Sequence, residues 1–331
     1  MSHLRLASQR STVHDRRDVG GPQRKGRPVR RRAFLQTAGV AAGILGGGWI
    51  LAACGDGAPS RVGASASAAP PATAGTGGQL NVIPGSFFPL TGEGERVAFG
   101  LTTLENEPVE DVGVEVTVRD TETGEVVSGP FPATFHDDLG EGFGLYVARV
   151  DLPEPGPVAI VAETAHGVGE QVLNAVAPAD SPVPAPGDEA ITTATPTTEE
   201  DLGVARVCTQ DPPCGMHEVS LEDALAQGRP VVLLFATPAY CQTVVCGPAV
   251  ATVDEVRRDG DWGDAAFIHA EIYTDEGSTL APFVLDWELP SEPWLFGIGA
   301  DGRITARIDG AILASDAEAL AAGATDATRA G

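Results

Sequence analysis

Val231-Val232-Leu233-Leu234-Phe235-Ala236-Thr237-Pro238-Ala239-Tyr240-Cys241-Gln242-Thr243-Val244-Val245-Cys246-Gly247-Pro248 opens with five large apolar residues in a row. A run of that length without alternation marks a strand covered on both faces. Two cysteines follow it, and residues 249–258 then read as a helix, with Pro248 tolerated in its first turn. A thiol at such a helix start meets free N–H groups and the positive end of the helix dipole, which stabilise the reactive thiolate. Residues five apart in a continuous α-helix have Cα atoms about 8.6 Å apart, whereas a disulfide takes roughly 4.4–6.8 Å. A bridge between Cys241 and Cys246 therefore requires Cys241 to lie in the loop ahead of the helix, or the first turn to deform.

Outward from this stretch, Ser220 and Asp223 have the spacing of a helix start for residues 221–227, which Gly228 closes. Beyond it come a second apolar strand at 265–272, a helix at 280–287, and the segment Leu289-Pro290-Ser291-Glu292-Pro293-Trp294 leading into a third strand. A turn at Asp301-Gly302, a strand at 303–308 and a closing helix at 315–322 complete the series.

With this element order, the cysteine pair after the first central strand and Pro293 after the second, residues 204–328 resemble the thioredoxin-like superfamily. The resemblance implies an α/β fold and thiol-disulfide exchange, with Cys241 as nucleophile, Cys246 as resolving thiol and the Pro293 loop presenting backbone to the partner chain. The chain departs from the family in spacing, with four residues between the cysteines where thioredoxins have two. Thr237-Pro238 with Cys241-x4-Cys246-Gly247 is also similar to the Q-type peroxiredoxins, which implies a peroxide held by the Thr237 hydroxyl and an arginine. Thr237 stands one residue too far from Cys241 for that pattern. Thr243 has the corresponding spacing to Cys246, and Arg303 and Arg307 are loose matches for the arginine.

Cys208 and Cys214 flank Asp211-Pro212-Pro213 ahead of the first helix. With Cys241 and Cys246 they make an even number outside the cytoplasm, and the pair is expected to form a structural disulfide. His217 could extend it to a Cys/Cys/His metal site, but no fourth ligand is evident. His269, central in a strand, is expected to be packed. No metal or other cofactor is therefore expected.

At the N-terminus, Arg30-Arg31-Arg32-Ala33-Phe34-Leu35-Gln36 precedes an uncharged run of 17 residues, 37–53, that holds five glycines. That is at or below the length needed to span a bilayer, and it has the order of a secretory signal. The arginine segment resembles a twin-arginine signal, and Leu51-Ala52-Ala53-Cys54 resembles a bacterial lipobox, which implies lipidation of Cys54. Residues 1–53 are thus expected to be the signal and 54–77, rich in Ala, Ser, Pro and Gly, a flexible tether. Period-two alternation, clearest at Val112-Gly113-Val114-Glu115-Val116-Thr117-Val118-Arg119, points to an all-β immunoglobulin-like sandwich over 78–177. His136 and His166 are read as its surface residues. Residues 178–203 read as a second linker.

Ten of the 21 basic and two of the 46 acidic residues precede Cys54, leaving 11 and 44, a net charge of −33 after it. Such a surface repels nucleic acid and anionic headgroups, so no nucleic-acid partner is expected. These features lead to the expectation of a lipid-anchored thiol-disulfide oxidoreductase on the outer face of the cell membrane, acting on thiols or disulfides of exported proteins. The alternatives are a peroxidase at the same cysteines or a non-catalytic surface binding protein.

Overall fold

The computed structural model describes residues 78–326 apart from 138, 140–143, 242 and 243. The expected signal, the lipidation site Cys54, the tether and Thr243 lie outside the described residues.

The first seven strands are β1 (Gly78–Pro84), β2 (Gly92–Thr102), β3 (Val114–Asp120), β4 (Val126–His136), β5 (Leu145–Leu152), β6 (Gly156–Thr164) and β7 (Gly167–Ala175). They close into a barrel in the order β1-β2-β5-β4-β3-β6-β7. This corrects the immunoglobulin-like sandwich. Alternation buries one face of each strand in a sandwich and in a barrel alike, so the pattern does not say whether the outer strands pair. Here they do: β1 runs parallel to β7 with Gly78 opposite Gly167 and Leu80 opposite Gly169. Gly167 admits this approach, because a side chain there would run into the Gly78 backbone. The alternating residues Val97, Phe99, Val116, Val118, Tyr146, Val150 and Leu152 fill the interior. The Tyr146 hydroxyl is satisfied within the barrel, accepting from the Val112 N–H at 3.2 Å and donating to the Val109 carbonyl at 3.1 Å.

The second unit of architecture is one small sheet of β8 (Val231–Phe235), β9 (Ala266–Ala270), β10 (Trp294–Ile298) and β11 (Ile304–Asp309), in the order β11-β10-β8-β9. Its helices are α1 (Leu221–Ala226), α2 (Cys246–Asp259), α3 (Pro282–Asp286) and α4 (Ala314–Asp326). The individual strands fall close to where the apolar runs put them, and Ser220 caps α1 by accepting from the Asp223 N–H at 3.2 Å. The expected thioredoxin-like α/β class is nevertheless corrected. Helices α1 and α3 stop after six and five residues, leaving the described chain mostly β, a closed barrel plus a small sheet with few helices.

One face of the small sheet packs Leu233, Phe235, Ile268, Phe296, Trp287 and Trp294. The other packs Val232, Leu234, Phe267 and Leu295 against α2 and α4. Within residues 178–203, expected to be a linker, 187–189 lie along β11: the Gly187 N–H donates to the Ile304 carbonyl and the Ile304 N–H to the Asp188 carbonyl, while Val183 and Ala185 are buried.

Barrel and small sheet are joined by buried polar contacts. In β2, Arg96 pairs with Asp316 of α4 at 2.7 Å and donates to the Ala311 carbonyl at 2.8 Å. The Asp309 carboxylate accepts from the Phe87 and Phe88 N–H groups at 2.6 and 3.2 Å. Around them Ala98, Leu145, Ala311 and Leu313 form an apolar cluster that reaches Val245, the residue before Cys246.

Candidate functional site: two adjoining cysteine groups

Parallel strands β8 and β9 end side by side, and antiparallel β10 begins at the same place. Phe235 pairs with both Ala270 and Trp294. The residues just beyond these strand ends, 236–241, Glu271 and Glu292-Pro293, therefore leave the sheet at one end. Both cysteine groups are built there.

Cys241 and Cys246 form a disulfide with a Cα separation of 6.1 Å. The spacing requirement is met as the helix geometry demands, with Cys241 in the loop and α2 beginning only at Cys246. Cys246 is completely buried among Leu234, Ala249 and Val250, while Cys241 is half-buried. Val244, between them, is 62% exposed. The Glu292 carboxylate, in the Pro293 loop, lies within 4.8 Å of both sulfurs. Pro293 itself is held by its carbonyl, which accepts from the Gly310 N–H at 3.0 Å. Residues predicted as catalytic thus come together in the cases of Cys241, Cys246 and the Pro293 loop.

Thr237, also predicted as catalytic, lies just beyond β8. Its side chain is fully buried and its hydroxyl has no hydrogen-bond partner. Of the two arginines matched to the peroxiredoxin pattern, Arg303 engages Glu189 and the Gly187 carbonyl. Arg307 stacks over Trp294 at 5.3 Å and donates to Ser181 and the Val183 carbonyl. Both arginines are thus engaged with other partners.

The expected bridge between Cys208 and Cys214 is also not formed: their sulfurs are 3.7 Å apart and both thiols are free. Two histidines reach them. His217 Nε2 is 3.2 Å from Cys214 Sγ, and His269 Nδ1 is 3.4 Å from Cys214 Sγ and 4.0 Å from Cys208 Sγ. The four donor atoms all lie within 4.8 Å of one another. Both histidines are buried, His269 completely. A fourth donor group beside Cys208, Cys214 and His217 is His269. It sits in the core as its central strand position implies, but its Nδ1 faces the thiols. The signal in the sequence is two polar residues, His269 and Glu271, within the apolar run 265–272.

Electrostatics couple the two thiols. Hydrogen bonding with Cys214, joined by contacts with His217 and His269, pulls Cys208 well below the usual thiol range against the effect of burial. That same bond, with burial, pushes Cys214 up. The arrangement stabilises one thiolate beside two imidazoles, the state a soft metal or an oxidant would meet.

Thr209 ties this group to the disulfide loop. Its N–H and hydroxyl both donate to buried Glu271 at 2.6 Å, and its hydroxyl oxygen accepts from the Ala239 N–H at 3.0 Å.

No family model matches the chain, and no curated protein does. Among solved structures, a protein assigned as the thiol:disulfide interchange protein DsbE of Chlorobium tepidum is 16% identical over 43% of this chain and 96% of its own, with a TM-score of 0.28. Domains 4 and 5 of the S-layer protein SbsC are 20% identical over 30% of this chain and 44% of theirs, with a TM-score of 0.18. The Escherichia coli adhesin FdeC is 13% identical over 36% of each chain, with a TM-score of 0.21. Scores this low do not establish a shared fold.

Proposed function

We propose that the chain is a thiol-disulfide exchange protein working through Cys241 and Cys246. The observation that carries the reading is the asymmetry of the pair: a half-buried sulfur in a loop is bonded to a fully buried one at the first residue of a helix. In the reduced protein the Cys241 thiolate attacks one sulfur of a partner disulfide, forming a mixed disulfide and releasing a partner thiolate that takes up a proton. The Cys246 thiolate then attacks Cys241 Sγ, re-forming the bridge and expelling the second partner thiol. Run in reverse, the oxidised pair accepts two electrons from a partner dithiol. Exposed Val244 offers an apolar contact beside the reacting sulfur.

The reading includes anchorage on the outer membrane face through Cys54, supported by the arginine pair, the apolar run and the lipobox-like Leu51-Ala52-Ala53-Cys54. Its partners would then be exported proteins close to that surface. Dithiothreitol-driven reduction of insulin tests the exchange chemistry. Wild type should turn over, and Cys241→Ser and Cys246→Ser should each lose at least 100-fold. Equal rates in all three proteins would overturn the proposal. Peroxide consumption measured on the same variants would turn the reading toward a peroxidase if it alone depended on the cysteines.

A further inference from the structure

We propose that Cys208, Cys214, His217 and His269 form a tetrahedral site for one Zn²⁺ ion, next to the redox pair but separate from it. The donor set and its spacing carry the inference. A zinc ion bonded to sulfur at about 2.3 Å and to imidazole nitrogen at about 2.0–2.1 Å puts its ligand atoms about 3.8 Å apart for sulfur–sulfur and about 3.5 Å apart for sulfur–nitrogen. The protein holds Sγ–Sγ at 3.7 Å and sulfur–nitrogen distances at 3.2, 3.4 and 4.0 Å. Two thiolates and two imidazoles arranged this way select a tetrahedral, borderline-soft cation over the hard, octahedral ones.

The supporting contacts aim the ligands inward. His269 Nε2 is 3.1 Å from the Ala236 carbonyl oxygen, which can only accept, so Nε2 carries the proton and the Nδ1 lone pair faces the two sulfurs. The Met216 carbonyl accepts from the His269 N–H at 2.9 Å, fixing the Cys214–His217 turn against the outer edge of β9. Gly215 N–H donates to Asp254 of α2 at 3.2 Å, and Thr198 N–H donates to the His217 carbonyl at 3.0 Å. His217 is only 4% exposed, yet its Nδ1 has no partner, so its ring is held in place without a hydrogen bond there. All four positions are supplied by the protein, which is the closed coordination of a structural metal and leaves no open place for substrate. Both cysteines would ligate as thiolates, so binding would displace into solvent the proton that remains on the pair.

The full chain, reduced with a phosphine and freed of metal, is titrated with Co²⁺ and then with Zn²⁺. The expected result is one equivalent of cobalt per chain. It should show the intense visible bands of a tetrahedral ion and a thiolate-to-cobalt charge-transfer band, both bleached by one equivalent of zinc. Zinc should also raise the thermal midpoint. Cys214→Ser and His217→Gln should weaken cobalt binding at least 100-fold. Cys241→Ser/Cys246→Ser should leave it unchanged, which separates this site from the redox pair. Because a core variant can misfold, each variant is checked for wild-type circular dichroism, and Cys208→Ser serves as a second, less buried probe. The proposal is overturned by absence of a stoichiometric tetrahedral spectrum, by a spectrum that survives Cys208→Ser and Cys214→Ser, or by one lost with the Cys241/Cys246 pair instead.

Discussion

Arg96, on a barrel strand, and Asp316, in the first turn of the last helix, meet at 2.7 Å with both side chains about 7% exposed. Removing one partner of a buried ion pair leaves a buried charge without its counterion, which costs about 3–5 kcal/mol. Arg96→Met and Asp316→Leu should each lower the unfolding free energy by about that much in urea denaturation. The double variant should cost clearly less than the sum of the two. Additive single effects would show that the pair is not coupled.

Burial pushes the Asp309 carboxyl above its ordinary value of 3.8, against the opposing effects of the Phe87 and Phe88 N–H donors and of Arg307 and Arg96. A carboxyl that binds its proton more tightly in the folded state contributes stability below the unfolded value and loses that contribution as pH rises through the folded one. Asp309→Asn keeps an oxygen acceptor and removes the titration. Measured from about pH 4 upward, the difference in unfolding free energy, variant minus wild type, should rise and then level off. A difference that falls with pH would contradict the direction of the shift.

Glu292 is placed to act on the charge of the reduced pair. A carboxylate beside a thiol disfavours the thiolate by charge repulsion, and Glu292 lies within 4.8 Å of both sulfurs. Glu292→Gln should move the pH profile of Cys241 alkylation by iodoacetamide to lower pH and raise its rate near neutrality. An unchanged or slower reaction would mean that the carboxylate does not act on the thiol.

What the sequence made legible follows the locality of each signal. The uninterrupted run Val231–Phe235 became a central strand with all five residues buried, and the five-residue spacing of Cys241 and Cys246 correctly required a loop cysteine ahead of a helix. Barrel closure was hidden because it depends on Gly78 meeting Gly167, 89 positions away, a pairing that leaves no local pattern. Strand β4 carries Pro130 and Pro132 and is largely exposed, which removes both the strand signal and the alternation from its sequence. The thioredoxin-like class was read from element order, but helix length decides the layers, and α3 runs only from Pro282 to Asp286. His269 and Cys214 are 55 positions apart and meet only because β9 is the sheet edge on which the cysteine loop rests. A separation of 222 positions likewise concealed the contact between Asp309 and the backbone of Phe87.

If Cys241 is the attacking sulfur, its covalent adduct can be trapped. Reduced Cys246→Ser protein is mixed with a disulfide-bonded peptide, quenched with acid and mapped by mass spectrometry. A stable mixed disulfide should appear on Cys241, with no matching adduct on Cys246 in Cys241→Ser protein, where Cys246 is buried. An adduct that forms first on Cys208 or Cys214, or none on Cys241, would contradict that role.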